Sequence, residues 1–165
     1  PLRRQRQMCI RDSEDGFFNL EVFGKADRVV YLAAYLYHYR RDGSSSVTSG
    51  YNPRLYDQWQ TLYDRMEAII RSNQLGSEYE AALNNRIALG ILGLGLNITV
   101  STQPMGKKVK DIHRIIRQER YRKAYKNLPL NYFPIHWKLF YGCARHGFAF
   151  GVYVLLTVIQ RIISR

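Results

Sequence analysis

Arg28-Val-Val-Tyr-Leu-Ala-Ala-Tyr-Leu-Tyr-His-Tyr-Arg40 is the stretch on which the fold class turns. Two short runs rich in β-branched and aromatic side chains, Arg28 to Leu32 and Tyr35 to Tyr39, flank a pair of alanines. Such runs favour a pleated, half-buried surface, and they predict two short strands. Asp42-Gly43-Ser-Ser-Ser46 follows with the residue types of a loop. Just upstream, Phe17, Phe18, Leu20 and Phe23 recur at helical spacing, with Glu14 and Asp15 in front and Gly24 behind. Acids at the head and glycine at the tail predict a short helix.

Working outward toward the C-terminus, the texture becomes helical. Asn52-Pro53 opens a helix whose apolar face runs through Leu55, Trp59, Leu62, Met66 and Ile70, and Asn73 with Gly76 closes it. Ser77 and Glu80 have capping-box spacing at the head of another helix, which carries Leu83, Ile87 and Leu94. Gly90, Gly93 and Gly95 weaken its second half as an isolated helix, and their close spacing predicts tight helix packing rather than a phosphate loop. Pro104-Met-Gly106 interrupts the chain, and one basic helix is predicted from Lys107 to Lys126, ended by Leu128-Pro129. The expected fold is mainly α, with a two- to three-strand β element near the N-terminus. Four segments follow: 1–13, 14–50, 51–127 and 128–165.

Charge is distributed unevenly. The formal net charge is +12, yet thirteen Lys and Arg lie from Lys107 to Arg165 against only Asp111 and Glu119. An anionic surface is therefore expected to face the C-terminal third. The fifteen residues from His146 to Gln160 carry no formal charge, fewer than the roughly 20 that a bilayer span requires. Trp137, Phe140, Tyr141, Phe148, Phe150 and Tyr153, bracketed by Lys and Arg, predict instead a helix pair lying in the membrane interface. The alternative for these helices is packing on the rest of the protein or on another subunit. A basic nucleic-acid-binding module and a non-catalytic helical scaffold are the rival classes; no helix-turn-helix, zinc or RNA-recognition motif supports the former, so nucleic acid is not the expected partner. Cys9 and Cys143 are too few for a disulfide framework or a cysteine metal site.

The segments Ser13-Glu-Asp-Gly-Phe-Phe-Asn-Leu-Glu21, Arg28-Val-Val-Tyr-Leu32, Tyr35-Leu-Tyr-His-Tyr-Arg40 and Gly43-Ser-Ser-Ser-Val-Thr48 occur in this order. Together they resemble the bacterial family 2 glycosyltransferases, inverting enzymes of the α/β GT-A fold. The resemblance is specific over residues 14–50. It implies that 14–50 is the C-terminal part of a GT-A catalytic domain, followed by a helical extension. It further implies transfer of a sugar from a nucleotide-diphosphate donor to a glycan or lipid-linked acceptor in cell-surface polysaccharide synthesis, at the cytoplasmic face of the cell membrane.

Inverting transfer is a direct displacement, so the acceptor hydroxyl must lose a proton as it attacks, and a carboxylate within hydrogen-bond reach takes it. The resemblance assigns that role to Asp15, with Glu14 orienting the site or binding acceptor. It assigns the donor pyrophosphate to Arg40 and Ser46, where a planar guanidinium and loop hydroxyls suit phosphate oxygens. Ser45 belongs to the same loop, and His38 lines that pocket or approaches the metal. Enzymes of this kind hold magnesium or manganese through an Asp-x-Asp element, which is absent here. The metal ligands are thus expected outside this sequence, and the chain alone is expected to be inactive. Residues 1–13 lack both an initiating Met and an apolar core, and are read as a leader foreign to the native protein, with the reading frame continuing upstream.

Overall fold

The computed structural model describes residues 14–34 and 50–163, with side chains at all of these except 14–18 and 21. Seven α-helices lie among the described residues: α1 Glu14–Lys25, α2 Leu55–Ser72, α3 Ser77–Thr99, α4 Met105–Ile116, α5 Glu119–Asn127, α6 Ile135–His146 and α7 Ala149–Ile163. A single 3-10 turn, Leu130–Tyr132, joins α5 to α6.

No strand occurs among the described residues, so the expected mixed α/β architecture gives way to an all-α one. The predicted strand Arg28 to Leu32 is irregular chain, and Val29, Val30, Tyr31 and Leu32 stand 63–89% exposed. Its neighbourhood shows one local backbone bond, from the Ala34 N–H to the Leu32 carbonyl at 2.9 Å, and no ladder. β-branched and aromatic residues favour strands by packing on a pleated neighbour, and the described residues supply no such neighbour. The second predicted strand, Tyr35 to Tyr39, lies outside the described residues.

Helix α3 is the axis of the molecule, with α2, α4, α5 and α7 packed around it. Ile87, Ala88, Ile91, Leu94 and Ile98 form its buried face. It is the one helix among the described residues long and apolar enough to cross a membrane, and its four neighbours make it a core helix. The glycines act as the sequence predicts, by close approach. A Cβ at Gly90 would lie 2.5 Å from the Tyr63 hydroxyl, and one at Gly93 would lie 2.7 Å from Trp59 Cη2. A Cβ at Gly95 would collide with the Leu156 side chain of α7.

Helix ends depart from expectation in two places. Pro53 sits in the turn ahead of α2 rather than in its first turn. Ser77 does begin α3, but Gly76 is the cap and no side chain caps the helix, so the Ser77–Glu80 capping box does not form.

The predicted basic helix from Lys107 to Lys126 is two helices, broken at Arg117-Gln118. Its apolar residues explain the break. Ile112, Ile115 and Ile116 bury one face of α4, but the next buried residues are Tyr121, Ala124 and Tyr125. A continuous helix would carry the stripe through positions 119, 120 and 123. Breaking the helix resets the phase, and all six side chains reach the core.

The C-terminal hairpin is docked on this core. Helix α6 buries Phe140, Tyr141 and Ala144, and α7 buries Ala149, Val152 and Leu156 against α3 and α4. Gly147 ends α6 with φ +76°, a left-handed conformation that glycine adopts without a Cβ penalty. The Phe148 N–H then donates to the Cys143 carbonyl at 2.8 Å. Arg145 ties α6 to the end of α5, donating from Nε to the Tyr125 carbonyl at 2.9 Å and from Nη2 to the Leu128 carbonyl at 2.7 Å. The Tyr125 carbonyl also accepts the Leu128 N–H at 3.4 Å, so Arg145 adds a second donor there and supplies one to the Leu128 carbonyl just past the helix.

Candidate functional site

Glu14 and Asp15 are the first two residues of α1. The positive end of a helix favours carboxylates at such positions. At its other end α1 rests on the bundle, with Leu20 packed on the core and Leu75 within 3.6 Å of the Cβ position of Gly24. His38, Arg40, Ser45 and Ser46 lie outside the described residues. The acid pair is thus placed on a helix.

A cleft formed by three helices was not foreseen from sequence. This cleft, of about 420 Å³, opens where the N-terminal end of α2, the C-terminal half of α3 and the end of α4 meet. Its floor is apolar: Leu94, Ile98 and Ile115 are all buried. Its walls carry Tyr51, Tyr56, Asp57, Asn97, Asp111, Arg114 and Gln118. Two cross-links hold the walls. The Asn52 N–H donates to Asn97 Oδ1 at 2.7 Å, and Asn97 Nδ2 donates back to the Asn52 carbonyl at 2.9 Å. The Tyr56 hydroxyl donates to Gln118 Oε1, joining α2 to the α4–α5 junction. At the rim, Arg114 Nη2 donates to Asp111 Oδ1 at 2.9 Å. The one sequence cue to this site was Asn97, an amide in an otherwise apolar stretch of α3. Its partner lies 45 positions away, beyond the reach of any periodicity argument.

A second polar cluster joins α2 to α5. Gln60 Nε2 donates to the Tyr121 hydroxyl at 3.2 Å, while Gln60 Oε1 accepts from Arg120 Nη1 at 3.0 Å. Arg120 also pairs with Asp64 and, at 3.4 Å, with Glu67. Burial pushes the Tyr63 hydroxyl up to about 12 and raises those of Tyr121 and Tyr125. Tyr141 on α6 is pushed to about 12 for the same reason. Burial thus favours the protonated form of all four.

The outer surface of the C-terminal hairpin is apolar and flanked by bases. Phe150, Val154, Val158 and Ile162 form an exposed line along α7, spaced four residues apart. Helix α6 exposes Ile135 and Leu139 beside the exposed Lys138. Among the described residues no three His, Cys, Asp or Glu converge into a group that could hold a metal ion. Comparison with models of known families, with curated proteins and with solved structures finds no match to this chain.

Proposed function

We propose that this chain belongs to an enzyme that transfers a sugar from a nucleotide-diphosphate donor to a glycan or lipid-linked acceptor, with Asp15 as general base. The observation that carries the reading is the position of Glu14-Asp15 at the head of α1, in sequence order with Tyr37-His38-Tyr39-Arg40 and Ser46. A carboxylate within hydrogen-bond reach of an acceptor hydroxyl can take its proton as that hydroxyl attacks. In this mechanism Asp15 takes the proton of the attacking acceptor hydroxyl, and Glu14 orients the acceptor. Arg40, Ser45 and Ser46 bind the departing diphosphate, whose growing charge needs cationic and hydrogen-bonding partners. His38 lines the same pocket. The test is sugar transfer by the enzyme that carries this sequence, wild type against Asp15→Asn.

The same reading places the enzyme on the cytoplasmic face of the cell membrane. Support comes from the exposed apolar line on α7 with Ile135, Leu139 and Lys138 on α6. Apolar side chains enter the headgroup boundary, while nearby Lys and Arg each add roughly 1 kcal/mol at an anionic surface. Co-sedimentation with vesicles containing phosphatidylglycerol is the assay, with duplex DNA as competitor. Binding lost in Phe150→Ser/Val154→Ser supports the membrane surface. DNA binding at physiological salt without vesicle binding refutes it and restores the nucleic-acid reading.

A further inference from the structure

The cleft between α2, α3 and α4 has a chemistry of its own. Its 420 Å³ is within the range of small-molecule sites, about 300–1,000 Å³. No described residue of α1 lines it. The cleft opens at the N-terminal end of α2, whereas Gly24 of α1 meets Leu75 beyond the C-terminal end of α2. Helix α2 has 18 residues, which at 1.5 Å per residue separates these two places by about 27 Å.

The lining narrows the ligand class. Arg114 is the one cation of the lining and is already paired with Asp111, so the cleft offers no cluster of free cationic groups for a phosphate. Among the described residues no third acidic or imidazole side chain joins the two carboxylates. What the walls do supply is both halves of hydroxyl recognition. Carboxylate oxygens accept from hydroxyls, while guanidinium and amide N–H groups donate to them. The apolar floor and the tyrosine rings suit the C–H face of a sugar ring. The Asn52–Asn97 and Tyr56–Gln118 cross-links hold this arrangement before any ligand arrives, which lowers the ordering cost of binding.

We infer that this cleft is a saccharide subsite that holds an uncharged sugar unit of a glycan, apart from the place where α1 docks. Hydroxyl groups of that unit bond to Asp57 and Asp111, and its apolar face lies over Leu94 and Ile115. The assignment of a glycan as natural ligand rests on the sugar-transfer reading; the choice of a neutral polyol over an anion rests on the cleft alone.

The test is titration of the 165-residue chain with maltotriose, chitotriose and a rhamnose trisaccharide, followed by saturation-transfer NMR. Saturable binding of at least one trisaccharide is expected, with inorganic phosphate unable to displace it. Asp57→Asn and Asp111→Asn should each weaken it about tenfold, the loss expected on replacing a charged hydrogen-bond acceptor. Both positions are at the rim, and unchanged circular dichroism and thermal midpoints verify folding; Tyr51→Ala provides an independent third variant. Asp15→Asn should leave binding unchanged. No binding of any trisaccharide, binding that survives all three cleft variants, or displacement by phosphate would each overturn the assignment. The two proposals fail separately: loss of the subsite leaves sugar transfer untouched, and an active Asp15→Asn enzyme leaves saccharide binding to the cleft intact.

Discussion

Replacing Gly95 by alanine tests whether α7 is packed into the core as described. The new methyl would enter the space held by the fully buried Leu156, so that side chain and its neighbours must shift. Overpacking of this kind costs about 1–3 kcal/mol. Alanine in a helix interior recovers about 1 kcal/mol relative to glycine. Gly95→Ala should therefore destabilise the protein by about 1 kcal/mol, and by no more than about 2. Gly142 is the matched control, because it is inside α6 and a Cβ there meets nothing within 4 Å. Gly142→Ala should stabilise by about 0.5–1 kcal/mol, since only the propensity term remains. Urea unfolding at constant slope measures both. In thermal melts each kcal/mol corresponds to about 2–4 °C for a chain of this size. If Gly95→Ala stabilises as much as Gly142→Ala, α3 and α7 do not approach closely, and the docked C-terminal hairpin is wrong.

Four further outcomes follow from particular side chains. The Tyr125 hydroxyl is buried without a hydrogen-bond partner among the described residues, so Tyr125→Phe should stabilise by about 1 kcal/mol. Tyr121→Phe, which strands Gln60 Nε2, should cost about 1 kcal/mol in the same unfolding assay. Arg145→Met removes two bonds to the carbonyls of Tyr125 and Leu128. It should cost about 2 kcal/mol, with amide exchange rising first at the C-terminal end of α5. Tyr63 and Tyr141 are held at about 12 by burial, against about 10 in an unfolded chain. The fold retains their protons where the unfolded chain has lost them, so this stability is complete below about pH 10 and falls as pH rises toward 12. Urea midpoints should decline across that window as tyrosinate absorbance appears, and a flat midpoint would contradict the burial of these rings.

The helices were legible where periodicity alone decides. Leu62, Met66 and Ile70 on α2, and Leu83, Ile87 and Leu94 on α3, mark stripes that the core uses as predicted. The glycines of α3 were also legible, because three small residues at close spacing have few uses in a helix other than close approach. The strand at Val29 to Leu32 was misread because β-propensity describes a fit to a neighbouring strand, and the described chain offers none. The α4–α5 break was written in the phase slip between Ile116 and Tyr121, yet an unbroken run of good helix formers obscured it. The cleft was illegible because Asn52 and Asn97, or Tyr56 and Gln118, meet only through tertiary packing. The acid pair stands apart: its position at a helix head follows from local sequence, while its catalytic role rests on resemblance to other sequences.

That role has a direct measurement. Transfer of a labelled sugar and binding of the nucleotide-sugar donor are followed side by side in the wild-type enzyme and in Asp15→Asn. Removing a general base costs about 10²–10⁴-fold in rate, and the substitution leaves the diphosphate-binding residues in place. The expected result is a loss of that size in kcat with donor affinity within about twofold, well under the tenfold that 1.4 kcal/mol represents. Near-normal turnover in Asp15→Asn would remove Asp15 from the base position and with it the central claim.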